Sequence, residues 1–210
     1  MSFIVKASEG SSFKPVPPGT HLARCYRIVD LGTQETNYQG KVNYQRKLMV
    51  QWEVHGQDEE GNELVTRAGE PMTISKNYTV SLGEKARLRA DLISWRGKAF
   101  TPEELKGFEL KNLLGVWCML SVVETPGNDG KTYSNVNAIT PVPAVVKKNG
   151  LPPYHNPVGI FSIDNPDMEL FETFSDHLKG KIQGSPEWAS RGRSAPPALS
   201  SDAQDDDIPF

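Results

Sequence analysis

Cysteine is nearly absent from this chain of 210 residues: Cys25 and Cys118 are the only two, and no CxxC spacing brings thiols together. That excludes a disulfide-stapled scaffold and a cysteine-rich zinc module, and it reads as two reduced, packed thiols. The four histidines (His21, His55, His155, His177) are as scattered, so no metal cluster is visible. Long apolar runs are missing too. The longest, Leu113 to Val123, is broken by Gly115 and Ser121 and falls well short of the roughly 20 residues that a membrane-spanning helix needs. Met1 to Gly10 lacks the basic-then-apolar pattern of a secretion signal, which sets the expectation of a cytoplasmic protein. No glycine-rich lysine loop and no Ser/His/Asp or Cys/His arrangement can be read locally. The expectation is a protein that is not an enzyme and needs no cofactor.

An excess of positive charge is the last absence. The net charge is −3, yet four of the 26 acids (Asp202, Asp205, Asp206, Asp207) fall in the last ten residues, which hold no Lys or Arg. The remainder is close to neutral, and a neutral body can carry a basic face. The acidic run repels itself and reads as a solvated tail. Solvation accounts for the aspartates but not for the apolar Ile208-Pro209-Phe210 that follows them, which suits a partner's pocket flanked by basic residues. Asp205-Asp206-Asp207-Ile208-Pro209-Phe210 resembles the C-terminal tip of bacterial single-stranded DNA-binding proteins. That resemblance implies recruitment of replication and repair enzymes in a bacterial cytoplasm.

What is present in the body is mostly β pattern. His21 to Leu31 reads as a first strand, and Gly32 to Gly40 as a turn. From Val42 to His55 every second residue is apolar (Val42, Tyr44, Leu48, Val50, Trp52, Val54) except Arg46, predicting one buried and one wet face. Asp58-Glu59-Glu60 sits in an acidic loop before a short strand, Glu63 to Arg67. Met72 to Val80 alternates again. Ser81-Leu82-Gly83-Glu84 has the spacing of a capping box, predicting a helix to about Trp95. Thr101-Pro102-Glu103-Glu104 repeats it with Pro at the first helical position. Val116 to Glu124 and Thr132 to Thr140 form a hairpin. Asn165-Pro166 begins a helix carrying Leu170, Phe171, Phe174 and Leu178 and ending at Gly180, and Ser185-Pro186-Glu187-Trp188 adds a turn. Trp52, Trp95 and Trp117 are assigned to the core.

This order predicts a mainly β protein with an OB-fold: a five-stranded barrel with a helix between strands 3 and 4. An immunoglobulin-like sandwich fits less well, since it has no mid-chain helix. The expected domains are a flexible arm at 1–18, the OB-fold at 19–143, an extension at 144–188 whose helix packs on the barrel, and a disordered linker and acidic tip at 189–210. The stretches Lys76-Asn77-Tyr78-Thr79-Val80-Ser81-Leu82, Trp95-Arg96-Gly97-Lys98, Phe100 to Leu105, Gly107-Phe108-Glu109-Leu110 and Gly130-Lys131-Thr132-Tyr133 also resemble a phage and prophage family. Some of its members look like phage-encoded single-stranded DNA-binding proteins.

Single-strand binding needs cations along phosphates and aromatic faces on bases. The chain interleaves them: Tyr38 with Lys41, Tyr44 with Arg46 and Lys47, Lys76 and Asn77 with Tyr78, Lys131 with Tyr133. These ten are the candidate DNA-binding residues, and Asp205, Asp206, Asp207, Ile208, Pro209 and Phe210 the candidate partner-binding set. The expected function is non-specific single-stranded DNA binding and protection during phage replication and recombination. A homo-oligomer is open. Two alternatives stand beside it: a metal-dependent nuclease using Asp58-Glu59-Glu60, Glu103-Glu104 or Asp164/Asp167, and a decoy that competes for host partners through the tail without binding DNA.

Overall fold

The computed structural model describes residues 15–38, 40–127 and 130–191. Its organising element is β1 (Gly19–Tyr38), a strand of 20 residues that borders three others. β2 (Lys41–His55) returns antiparallel along its whole length, and β3 (Thr73–Thr79) pairs with β2. β4 (Trp117–Pro126) takes the other edge of β1 from Gly19 to Arg24, and β5 (Thr132–Thr140) pairs with β4. The sheet order is therefore β3-β2-β1-β4-β5. Between β3 and β4 lie α1 (Arg87–Arg96), the short α2 (Pro102–Lys106) and a 3-10 turn at Leu110–Leu113.

Two register breaks in β1, at Tyr26 and Leu31, each insert one residue and bend the strand. β4 leaves β1 at the first break, where the Gly115 N–H donates to the Cys25 carbonyl at 2.7 Å. The vacated edge at Arg27 to Val29 is then taken, in parallel, by β6 (Gly159–Phe161). The sheet stays open: β3 and β5 approach each other, but no ladder joins them among the described residues.

Two apolar layers sandwich this sheet. On one face Leu48, Val50, Trp52 and Val54 of β2 meet Leu120 and Val122 of β4, and α1 closes the layer with Leu88, Leu92 and Trp95. On the other, Val29, Leu31 and Met49 receive Phe161, Ile163, Phe171, Phe174 and Ile182 from the C-terminal segment. That segment comprises α3 (Ala144–Lys148), β6, α4 (Met168–Glu172), α5 (Asp176–Gln183) and α6 (Pro186–Ser190). Each fully buried Leu, Ile or Phe contributes about 1.5–3 kcal/mol, so the second layer is a substantial part of the fold.

The structure corrects several sequence expectations. The supposed turn at Gly32 to Gly40 is strand as far as Tyr38, which pairs with Lys41. The face of β2 expected to be wet is buried at Met49 and Glu53, because the C-terminal segment covers it. Glu63 to Arg67 forms only isolated bridges, Gln57 with Glu63 and Val65 with Pro71. The Ser81–Glu84 capping box does not form. Ser81 Oγ accepts from the Gly83 N–H in a local turn, and α1 begins at Arg87 without a side-chain cap. The box at Thr101 and Glu104 does form in both directions. The single helix expected from Asn165 is two, α4 and α5, because Ser175 caps a new start through the Leu178 N–H. Trp52 and Trp95 are buried, 5.9 Å apart. Trp117 is only half-buried and lies against His55 at 5.0 Å. No helix among the described residues is long and apolar enough to cross a membrane.

Candidate nucleic-acid interface

Strand alternation and register distribute the ten candidate residues over four places. Lys76 and Tyr78 of β3 oppose Val50 and Leu48, and so point into the layer that α1 closes. There Asp91 of α1, itself buried, accepts from Tyr78 Oη at 2.9 Å and Lys76 Nζ at 2.7 Å. Arg87 Nε adds a third donor at 2.9 Å. Burial, and then the Asp91 carboxylate, push the Tyr78 phenol well above its ordinary value. The Tyr78 ring is 4% exposed, so no base can stack on it. Tyr78 is a core residue, a correction to its place in the binding set, and Lys76 is committed to fastening α1 to β3.

Lys47 and Asn77 lie on the opposite face of the same two strands, Asn77 directly across from Met49 and Lys47 across from Thr79. Asn77 is exposed. Lys47 Nζ donates to Thr79 Oγ1 at 2.7 Å and Gln45 Oε1 at 2.8 Å. Both partners are neutral, so the ammonium is oriented but its charge is not compensated. Arg46 differs. Its guanidinium bridges Asp30 at 2.5 Å and Asp164 at 3.2 Å, and the Asp30 bond raises its pKa further. A residue holding two carboxylates ties the β1–β2 arm to the C-terminal segment and is poorly placed to take a phosphate as well.

The third place is the β1–β2 tip. Lys41 is exposed there, and the Tyr44 ring is 64% exposed. Tyr44 Oη donates to the cross-strand Glu35 at 3.2 Å, and that bond raises the phenol's pKa. Tyr38 ends β1; its side chain lies outside the described residues. The fourth place is the β4–β5 hairpin, where Tyr133 pairs with Thr125 and is 48% exposed, with Lys131 just before it. The partner-binding set, Asp205 to Phe210, lies outside the described residues.

Four of the carboxylates considered for a nuclease have structural tasks. Asp58 accepts from the Glu60 and Asn62 N–H groups and shapes its loop. Glu104 caps α2 and binds Arg96. Asp164 holds Arg46, and Asp167 caps α4. Among the described residues no three His, Cys, Asp or Glu side chains come together to hold a metal.

Sequence reasoning missed one aromatic. Tyr154, in the proline-rich segment after β5, is 67% exposed, and the guanidinium of Arg24 lies 4.4 Å from its ring centroid. Its signal was there in Pro152-Pro153-Tyr154, a stiff backbone presenting a ring, but periodicity cannot place a residue outside regular structure. No protein-family model matches the chain, and no curated protein matches it.

Proposed function

We propose that this chain is a single-stranded DNA-binding protein of the phage-encoded kind, with little sequence preference. It protects single strands during replication, recombination or repair, and recruits enzymes through Asp205–Phe210. The observation that carries the reading is the half-buried Lys47 of β2, held by neutral oxygens alone beside the exposed Asn77 of β3. An oriented, uncompensated ammonium suits a phosphate, and the exposed rings of Tyr44 and Tyr133 suit stacking. The OB-fold is part of the proposal. Strand order, the helix between β3 and β4, and the approach of β3 to β5 support an OB-type barrel with an unladdered seam. The tip's role rests on the resemblance of its six residues.

The test is a gel shift of labelled oligo-dT across a salt titration, followed by incubation with magnesium. Binding that exceeds duplex affinity and weakens with salt, without cleavage, supports the proposal. Affinity for single strands that is flat with salt or no greater than for duplex overturns it. Cleavage identifies the nuclease, and absence of both points to the tail-bearing decoy.

A further inference from the structure

Glu53 is fully buried in the middle of the sheet, an expensive place for a carboxylate. What it holds is the segment carrying Tyr154. Glu53 Oε2 accepts from the Asn156 N–H at 2.7 Å and from Asn156 Nδ2 at 2.9 Å. Glu53 Oε1 lies 3.4 Å from the His155 N–H and from the buried Arg24. Arg24 in turn donates to the Asn156 carbonyl at 3.0 Å. The ion pair thus fastens a three-residue stretch of loop to β1 and β2, and places a fixed cation under one face of the Tyr154 ring. The other side of this exposed ring has no ring or cation stacked on it among the described residues.

Tyr154 and His155 form one wall of a cleft of about 620 Å³, with Leu22, Val65 and Pro152 among its apolar lining and His55 beside them. That volume lies in the range of small-molecule sites. The charges at its edge are acidic. Glu63 is in the lining, and Glu70 lies 3.8 Å from His155. Carboxylates there oppose a phosphate, whereas a neutral flat ring gains from the apolar lining and the tyrosine face.

We infer that the Tyr154 cleft is a nucleobase site, taking one base of a bound single strand while the phosphates run outside it. This deepens the proposed function and rests on it. A base stack releases no counterion, so the contribution of Tyr154 is independent of salt, unlike that of a lysine on phosphate.

The full-length protein is irradiated with an oligo-dT carrying 5-iodouracil, and the cross-linked peptide is identified by mass spectrometry. The expected adduct lies on Tyr154 or His155. In parallel, Tyr154→Leu weakens oligo-dT binding by about five- to a hundredfold with the slope of log affinity against log salt unchanged, and Tyr154→Phe binds as the parent does. Cross-links confined to other residues, or wild-type affinity in Tyr154→Leu, overturn the site while leaving single-strand binding in place. If the parent itself binds no oligo-dT, the proposed function fails and the site falls with it. The cross-link is read on the unaltered protein, so it does not depend on how a variant folds.

Discussion

Tyr78 donates its hydroxyl to a buried carboxylate that also takes Lys76 and Arg87, whereas Tyr44 holds only a surface glutamate. Identical side chains therefore fail in opposite ways. Tyr78→Phe removes one charge-assisted bond in the core and lowers stability by about 1.5–3 kcal/mol in denaturant unfolding, with oligo-dT affinity unchanged. Tyr44→Ala leaves the melting curve close to the parent's and weakens oligo-dT binding. The reverse pattern would return Tyr78 to the binding set. Lys47 has its own signature, because only a phosphate contact carries salt dependence. Lys47→Gln lowers the magnitude of the salt slope by about 0.7, the value of one phosphate neutralised on a single strand. A slope that stays put would take Lys47 off the phosphate path. From sequence alone these roles were half legible. The interleaving of cations and tyrosines made Tyr44, Lys47, Lys76 and Tyr78 equal candidates, and only the register with β2 shows that Lys76 and Tyr78 face α1.

The C-terminal segment and the main sheet meet where β1 bends, and Gly32 shows how tightly. It has φ +68°, and a Cβ there would lie 2.5 Å from the side chain of Ser185 and 2.9 Å from that of Glu187. Those residues cap and begin α6, and Glu187 binds the Thr33 N–H at 2.8 Å. Gly40 at the hairpin tip has φ +79° with nothing within 4 Å. Gly40→Ala thus carries backbone strain alone, about 1–2 kcal/mol, while Gly32→Ala adds a collision and costs clearly more in thermal unfolding. Equal losses in the two variants would mean that α6 does not pack on the bend. The β2 alternation made the first layer readable from sequence. The second layer was not, because β2 contributes only Met49 to it, and Met49 looks like a member of a wet face until Phe161, Phe171 and Phe174 complete the layer. The α4–α5 break was concealed for a related reason: Leu170, Phe171, Phe174 and Leu178 keep one helical stripe across the Ser175 cap.

The Glu53 latch couples the segment with Tyr154 to the whole molecule. Burial pushes its carboxyl up, but bonds from Asn156, His55 and His155 outweigh that and hold it below the ordinary value. A depressed folded pKa contributes stability above the unfolded value near 4.3 and loses it as pH falls through the folded one. Glu53→Gln, which leaves Arg24 buried without its counter-charge, is expected to cost about 3–5 kcal/mol at neutral pH. The deficit shrinks as pH falls below about 4, and a deficit constant down to strong acid would contradict this. On the same scale stands the proposed division of labour between body and tip. Asp202, Asp205, Asp206 and Asp207 repel phosphate, so the tip is no ligand for DNA and competes, if anything, for cations such as Lys47. Phe210 supplies a ring for an apolar pocket, and Ile208 and Pro209 limit the freedom that docking must remove. Deleting Ile208-Pro209-Phe210 therefore leaves single-strand binding unchanged, or slightly tighter at low salt. The same deletion abolishes capture of replication or repair enzymes that recognise such tips. Removing Phe210 alone acts nearly as strongly, because the ring goes with it. Capture that survives the deletion, or DNA binding lost while circular dichroism stays that of the parent, refutes this division.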